Sequence, residues 1–545
     1  MKYLLIGINS KYIHPALSLY QLKANTSYDC VVKEFTIKDQ LDHILDYCIK
    51  ELKTSEYIGI AGTVYLWNVE FYLPLFKTLK DLFPKLKTIL GGPEVGYDAE
   101  YFLTNNSYID YILSGEGEES FHELCLYLDH KISLNQVSNL YYVNDGIVHY
   151  TYFKYPDLNQ VKLAVLDVPD CENRIIYLES SRGCPYTCSY CTASLDNKVR
   201  FFPLEYILDI LIKVMNKRCK TVKFLDRTFN ANMKYMMQIL DFIDEHNICT
   251  TFQFEVVGEK LSSEIINKIA HLKHKYLRFE IGIQSTNELV NLSVSRKQDI
   301  VKLRENILLL NQTNKVDLHL DLIAGLPYET KQSFISSFDE AFLMRGKELQ
   351  LGFLKFLRGT KMLEMVNEHE YLYTNTPPYE IISNKYLRKD DLQEIHQVEK
   401  ALNRYYNNNL CPRLFKYLLD NKLVKSYYLF FKNLYRDLSN YQKDELFKIL
   451  DDYLKLLFPN SYDYLHFLLL IDYLENFKVK PKIWWDFNKI TNREELFTYM
   501  LTLDSSLNKE LLYRYSVIIN YKTFVFVIIY KDFKTKSYLF EYLSD

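Results

Sequence analysis

Two successive series of short apolar runs, each run followed by a helix-compatible stretch, limit the fold of this chain more than any other feature. In the first series residues 2–8, 30–37, 57–61, 87–90 and 108–113 read as strands, and residues 15–23, 40–52, 69–82 and 120–128 as the helices between them. That alternation predicts an α/β, doubly wound parallel sheet. Residues 140–152 follow as a hairpin around Asn144-Asp145-Gly146. The second series has strand candidates at 175–179, 221–226, 250–256, 277–283, 317–323 and 349–356. Six parallel strands with helices between them predict a partial (β/α)6 barrel. Past Thr376 the chain turns rich in Tyr, Leu and Lys and reads as mostly helical, with a Trp484-Trp485 pair and a terminal hairpin over 515–541. A chain of 545 residues exceeds one hydrophobic core. The expected domains are 1–135, a hairpin linker at 136–170, the barrel at 171–375 and a C-terminal accessory domain at 376–545.

The bulk composition excludes little. The chain is 48% apolar and 25% charged with a net charge of -3, which sets up no field that implies a nucleic-acid partner. A local basic patch remains compatible with that total. The 47 tyrosines read as compositional drift. No stretch reaches the length of a membrane helix; the nearest, 516–530, is broken by Asn520 and Lys522. The N-terminal run is strand-length, ends at Gly7 and lacks the pattern of a signal peptide. The expectation is therefore a cytoplasmic chain without membrane contact, whose ten cysteines are thiols or metal ligands.

One cysteine cluster stands out. Ser181-Arg182-Gly183-Cys184-Pro185-Tyr186-Thr187-Cys188-Ser189-Tyr190-Cys191 spaces Cys184, Cys188 and Cys191 as C-x3-C-x2-C. Three thiolates in one short loop can hold three irons of a [4Fe–4S] cluster and leave the fourth iron for a small molecule. A zinc site normally takes four ligands, and no Cys or His of fitting spacing follows Cys191 closely. Chance proximity, or a zinc ribbon completed from afar, are the alternatives.

The spacing, the aromatic Tyr190 before the last cysteine, and the position after the first barrel strand together resemble the radical S-adenosylmethionine (SAM) superfamily. The resemblance implies a [4Fe–4S] cluster whose open iron chelates SAM, reductive cleavage to methionine and a 5′-deoxyadenosyl radical, and hydrogen abstraction from an unactivated carbon. It also implies SAM contacts at strand ends. Asp226, in Asp226-Arg227-Thr228-Phe229-Asn230, falls where the family binds the SAM amino group; Glu255 and Gln284-Ser285 end the third and fourth barrel strands. Arg296, expected in the following helix, suits the SAM carboxylate. Gly325-Leu326-Pro327 is placed against adenine, with Leu326 as the contact. For each of these the plain alternative is a strand-end cap or a surface residue.

With that loop downstream, the first domain resembles the Rossmann-like cobalamin-binding domain of one large radical SAM subfamily. Thr63 after the third strand and Gly91-Gly92 after the fourth match the positions that surround the nucleotide tail of cobalamin. Pro93, Glu94, Gly115, Glu116 and Gly117 extend the same strand-end loops. The loop after the first strand departs from the Asp-x-His-x-x-Gly motif of cobalamin methyltransferases. It reads Asn9-Ser10-Lys11-Tyr12-Ile13-His14, so Asn9, Tyr12 or His14 would line the lower face of cobalt. A Rossmann-like domain with no cofactor stays open, as does a structural role for His14.

The whole pattern resembles an uncharacterised group of these proteins with an extra C-terminal domain. It implies a radical SAM enzyme with a [4Fe–4S] cluster, SAM and cobalamin as cofactors. The expected reaction is methylation of an unactivated carbon, with cobalamin-dependent rearrangement or cyclisation as the runner-up and a non-catalytic cobalamin or iron–sulfur sensor third. The substrate class, whether small molecule, peptide or nucleic acid, is left open. An electron donor such as flavodoxin or ferredoxin is the expected partner. Trp484-Trp485 and the many tyrosines read as core packing or as a stacking surface.

Overall fold

The computed structural model describes residues 1–247, 249–481, 493–531 and 534–541. The Trp484-Trp485 pair lies outside them. The described chain divides into two units, Met1–Ser337 with Met344–Leu392, and Phe338–Leu343 with Gln393–Asp545.

The first unit opens with five parallel strands: β1 (Lys2–Asn9), β2 (Asp29–Thr36), β3 (Gly59–Thr63), β4 (Lys87–Gly91) and β5 (Tyr111–Leu113). Their order is β2-β1-β3-β4-β5, as in a doubly wound sheet. Residues 3–8 of β1 are buried on both faces because helices cover both. Tyr3 and Leu5 pack with Leu19, Phe121 and Leu124 on one side. Leu4, Ile6 and Ile8 pack with Ile44, Tyr72 and Phe76 on the other. The hairpin read as a linker instead extends this sheet: β6 (Leu140–Asn144) runs antiparallel to β5, and β7 (Ile147–Tyr150) follows. Leu140 opposite Leu113 joins the same core, which fixes the hairpin there. Asp145 and Gly146 both take positive φ, as the tight turn requires.

The second sheet holds six parallel strands, β8 (Ile176–Leu178), β11 (Thr221–Phe224), β12 (Thr251–Glu255), β13 (Leu277–Gln284), β14 (Val316–Ala324) and β15 (Glu348–Phe353). Between β8 and β11 lie two short segments, β9 (Ser181–Arg182) and β10 (Arg200–Phe201), paired antiparallel with each other. The order β15-β14-β13-β12-β11-β8 is the partial barrel expected. Its central strands β13 and β14 alternate strictly. Phe279, Ile281 and Ile283 of β13 are buried under the helices, while Arg278, Glu280 and Gln284 face the lumen. The unit ends in the short pair β16 (Leu372–Tyr373) and β17 (Ile381–Ser383).

The second unit is helical around an aromatic core, where the Phe431 ring lies 5.5 Å from Phe342 and 5.7 Å from Phe415. Asp472 caps the helix Pro412–Asp420 by accepting from the backbone N–H of Arg413 and Leu414 at 3.2 and 3.0 Å. The expected terminal hairpin is a three-stranded antiparallel sheet, β18 (Ser516–Tyr521), β19 (Phe524–Lys531) and β20 (Lys534–Glu541). The extra strand is largely exposed and opens on four polar residues, so it carries only the short apolar run Tyr538-Leu539-Phe540. No helix among the described residues is long and apolar enough to cross a membrane.

Candidate functional site

The cysteine loop is an excursion with a closed base. The chain leaves β8, forms β9, runs out through residues 183–199 and returns as β10, which pairs Arg182 with Arg200 and Ser181 with Phe201. The Cys184 N–H donates to the Asp196 carbonyl at 2.9 Å. Gly183 has φ +87, and a Cβ there would overlap the Lys198 carbonyl, so this corner admits only glycine. Cys184 and Cys188 are buried and Cys191 half-buried. The Cys184 Sγ lies 3.6 Å from Thr228 Oγ1, and Arg296 Nη1 donates to Cys188 Sγ across 3.9 Å. Burial raises the Cys191 thiol above its ordinary range, so its thiolate needs a positive partner. Among the described residues no three His, Cys, Asp or Glu converge on one metal ion. A cluster does not ask them to, because each thiolate meets its own iron.

The same mouth of the barrel gathers polar atoms that have no hydrogen-bond partner among the described residues. Gln284 Oε1, Asp321 Oδ1, Arg296 Nε, Gln298 Oε1, Glu259 Oε2 and Ser189 Oγ are all buried and unpaired. Each such group costs about 1–3 kcal/mol if nothing binds it. Gln284, Arg296, Gln298 and Asp321 surround Gly282. Its carbonyl accepts from Arg296 Nη2 at 2.5 Å and Gln298 Nε2 at 3.0 Å, its strand partner is Asp321, and the Gln284 side chain lies across its missing Cβ. Burial, then the charges of Glu280 and Glu255, push the Asp321 carboxyl up to about 8. Glu255 sits 3.9 Å from Lys223, and its carboxyl is also raised by burial.

The other expected SAM residues are placed differently. Arg296 lies in the loop after the helix Glu288–Ser293, because Ser295 turns left-handed (φ +58) and sends the guanidinium back to the strand end. Asp226 is 1% exposed and fully engaged, accepting from the Ser180 N–H and from the Ser180 and Ser181 hydroxyls at 2.6–2.9 Å. It braces the foot of the cysteine loop. Ser285 is fully buried and donates to Glu329 at 2.7 Å, so it holds the strand end from behind. Leu326 is buried in the core. The preceding Gly325 carbonyl accepts from Tyr371 Oη at 2.9 Å and Asn384 Nδ2 at 3.1 Å. Tyr190 is deeply set beside Arg296 and Cys188, and burial raises its phenol.

In the first domain the structure brings Thr63 and Gly91 together as strand partners, with the Ser18 hydroxyl donating to Thr63 Oγ1 at 3.0 Å. Gly92 has φ +97 and no room for a side chain against Val64. Pro93 starts the short helix Pro93–Gly96. Gly115 has φ +70 and borders open space, and Gly117 begins the helix Gly117–Leu128. The loops after β1, β3 and β4 expose Tyr12, Trp67 and Tyr97, with Trp67 stacked on Tyr65 at 4.4 Å. His14 Nδ1 lies 2.6 Å from the Tyr177 hydroxyl on β8, and Tyr12 donates to Asp170 at 3.0 Å.

Asn9, Glu94 and Glu116 are committed to ion-pair hubs that join the first domain to the barrel. Glu34 accepts from Asn9 Nδ2, the Ala16 N–H, Tyr20 Oη and both terminal nitrogens of Arg174 at 2.7–3.0 Å. Glu94 accepts from Arg358 Nε at 2.8 Å and Tyr379 Oη at 2.5 Å, while Arg358 also pairs with Asp98. Glu116 accepts from Arg182 Nη1 at 2.6 Å and from Arg200; Glu118 and Glu179 also hold Arg182. Their partners Glu34, Arg174, Arg200 and Arg358, and also Asp321, Glu259 and Gln298, are absent from the residues expected from sequence. Asp321 had a legible signal: Asp317, His319 and Asp321 alternate with leucines, which marks a polar lumen face four residues before Gly325. A groove of about 770 Å³ lined by Leu52, Tyr57, Phe83, Tyr111 and Tyr127 lies at the far ends of β3–β5, away from these residues.

Residues 178–341 match the family described as Radical SAM superfamily, and residues 367–534 match one described as Protein of unknown function (DUF4080). The chain is 24% identical over 281 residues to the anaerobic magnesium-protoporphyrin IX monomethyl ester cyclase of Synechocystis sp., covering 48% of this chain and 54% of that one. It is 25% identical over 301 residues to the cobalamin-dependent radical SAM methyltransferase TokK of Streptomyces tokunonensis, covering 50% and 43%. The chain thus spans about half the length of these two curated relatives. Among solved structures, the fold resembles the cobalamin-dependent S-adenosylmethionine radical enzyme OxsB with aqua-cobalamin and S-adenosylmethionine bound (TM-score 0.61, 15% identity, 87% of this chain and 80% of that one). It also resembles the radical S-adenosylmethionine methyltransferase TsrM of Kitasatospora setae with cobalamin and a [4Fe-4S] cluster bound (TM-score 0.58, 12% identity, 71% and 82%). The three-cysteine loop and most of the six-strand barrel lie within residues 178–341, so this chain carries a radical SAM domain, behind a Rossmann-like domain whose fold is like that in those cobalamin-dependent enzymes.

Proposed function

We propose that the chain cleaves SAM reductively and uses cobalamin to methylate an unactivated carbon of its substrate. The observation that carries the SAM half is the set of six buried, unpaired polar atoms beside Cys184, Cys188 and Cys191. Their chemistry, with that of Glu255 next to them, suits a zwitterionic nucleoside: the Arg296 guanidinium for the carboxylate, Glu255 for the amino group, and Gln284 and Asp321 for hydroxyls. The three thiols suit a cluster that leaves one iron open. The cobalamin half is supported by the likeness to TokK and by the first domain's strand-end loops, where Gly115 borders open space and Trp67, Tyr12 and Tyr97 offer flat apolar faces. Cys184, Cys188 and Cys191 would hold the cluster, which would supply the electron for reductive cleavage of SAM, and cobalamin, held by the first domain's strand-end loops, would supply the methyl-transfer chemistry. This chain's own part is to orient SAM by Arg296, to keep water from the thiolates by burying them, and to hold the two domains face to face through Glu34, Glu94 and Glu116. A donor such as flavodoxin or ferredoxin is the proposed electron source.

The test is anaerobic purification with added cobalamin, followed by spectra and product analysis with methyl-labelled SAM. Methyl transfer predicts both S-adenosylhomocysteine and deoxyadenosine. SAM consumption without any S-adenosylhomocysteine rules it out.

A further inference from the structure

We infer that Glu116 is a positioning residue for the cysteine loop, closing the base of that loop by bridging Arg182 and Arg200. The inference rests on reading the loop as a cluster holder. The β9–β10 pair sets Arg182 directly opposite Arg200, and like charges in that relation repel. With two residues per strand, the pair has few ladder hydrogen bonds to set against the repulsion. Each arginine has carboxylates of its own: Glu118 and Glu179 for Arg182, Asp196 for Arg200. Glu116 differs because it serves both. Its Oε2 lies 2.6 Å from Arg182 Nη1 and 3.3 Å from Arg200 Nη1, and its Oε1 accepts from Arg200 Nη2.

The bridge reaches the cysteines by a short path. Arg182 stands two residues before Cys184, and Asp196, which pairs with Arg200, also accepts the Cys184 N–H through its carbonyl. Arg200 is further held flat on the Tyr155 ring, 4.0 Å from its centroid. Glu116 itself is rigid. It is the residue preceding the helix Gly117–Leu128, whose Phe121 and Leu124 are fully buried in the first sheet. The stance of the cysteine loop is therefore referred to the first domain and not to the barrel alone. Replacing the carboxylate by an amide leaves one acceptor oxygen where three guanidinium contacts were made.

The test uses the full chain, reconstituted anaerobically with iron and sulfide. The readouts are iron retained under a chelator challenge, the electron paramagnetic resonance spectrum of the reduced cluster with and without SAM, and its midpoint potential. Glu116→Gln is expected to retain the cluster about 10-fold less well, the scale of outer-shell substitutions at metal sites. Its potential and its SAM-induced spectral change should shift as well. Arg358→Gln removes a different arginine–carboxylate contact between the same two domains. It should leave iron content and spectrum as in wild type, which separates a positioned loop from loosened domains. The double variant Glu116→Gln/Arg200→Gln removes the repulsion together with the bridge and should recover most of the lost retention. Wild-type behaviour of Glu116→Gln, an equal loss in Arg358→Gln, or no recovery in the double variant each overturns the inference. If Glu116→Gln does not fold, Glu116→Asp keeps the charge but shortens the reach; it should retain less iron than wild type, and equal retention overturns the inference. A wild-type chain that takes up no cluster overturns the reading beneath it, and the inference with it.

Discussion

The two parallel sheets of the first unit bury their strands in opposite ways. Residues 3–8 of β1 are closed off on both faces, whereas β13 and β14 alternate buried and half-open residues along their whole length. A doubly wound sheet is sandwiched by helices, so side chains on both faces find apolar neighbours. A barrel strand has helices on one side only, and its inner residues face a lumen that they must fill or leave for a ligand. Here the lumen is charged. Lys223 pairs with Glu280 at 2.9 Å, Arg278 with Glu348 at 3.2 Å, and Asp321 is left over with an unpaired oxygen. The first sheet spends its sequence on stability, the second on a site.

Substitutions should separate the two roles. The largest effect is expected from Cys188→Ala, which removes one thiolate at the mouth of the barrel. Cluster content and SAM cleavage should be lost while circular dichroism of the iron-free chain stays as in wild type, since Cys188 belongs to a loop and not to a strand. A loss of secondary structure instead would place Cys188 among the residues that support the fold. Next comes Glu34→Gln. Breaking a buried ion pair by removing one partner costs about 3–5 kcal/mol, and Glu34 serves five donors. The Arg174 guanidinium and the Ala16 and Asn9 donors hold its carboxyl below the usual range despite burial. The stability it contributes is therefore complete above the ordinary carboxylate pKa and is lost as pH falls through the lowered one. Acid unfolding should begin at higher pH in a chain that keeps the carboxylate but lacks its partner, as in Arg174→Gln.

Ile6→Ala should cost about 3 kcal/mol, because the side chain is fully buried against Tyr72 and Phe76 and leaves a cavity. The matching lumen substitution, Gln253→Ala, removes one hydrogen bond of 2.9 Å to Glu280 and should cost about 1 kcal/mol. Both are read as shifts of the first thermal transition of the full chain. Equal shifts would mean that the lumen is packed as tightly as the first sheet.

Much of this was legible in the sequence, and the remainder was hidden for definable reasons. The alternation of apolar runs gave away both parallel sheets, and the C-x3-C-x2-C spacing gave away the loop. The β9–β10 pair was not legible, because two residues carry no period. The hubs at Glu94 and Glu116 were hidden because a carboxylate in a strand-end loop reads as a ligand contact or a surface charge, and Glu34 because it lies within β2 with nothing local to mark its partner. Its arginine lies far away in sequence, as Arg358 does from Glu94, and nothing local marks the two as partners. Asp226 and Ser285 were assigned by position at a strand end, which fixes where a residue stands but not which way its side chain turns.

Asp321→Asn should have the most particular effect, because it vanishes at low pH and grows as pH rises. An aspartate in the unfolded chain ionises at about 3.9. In the folded lumen, burial and the charges of Glu280 and Glu255 push the same carboxyl up to about 8. Below the lower value both states hold the proton and the group costs nothing. Between the two values the unfolded chain releases its proton and the folded chain keeps it, so folding becomes steadily less favourable as pH rises, and the loss levels off above about 8. Asparagine has the same shape and no proton to release. Thermal transitions of SAM-free wild type and Asp321→Asn should therefore run together near pH 4 and separate as pH rises, with the variant the more stable at pH 8. Parallel transitions across that range would mean that the lumen is wet enough to solvate a carboxylate. No residue from Leu4 to Ile8 can give such a signal, because none of them carries a titratable side chain.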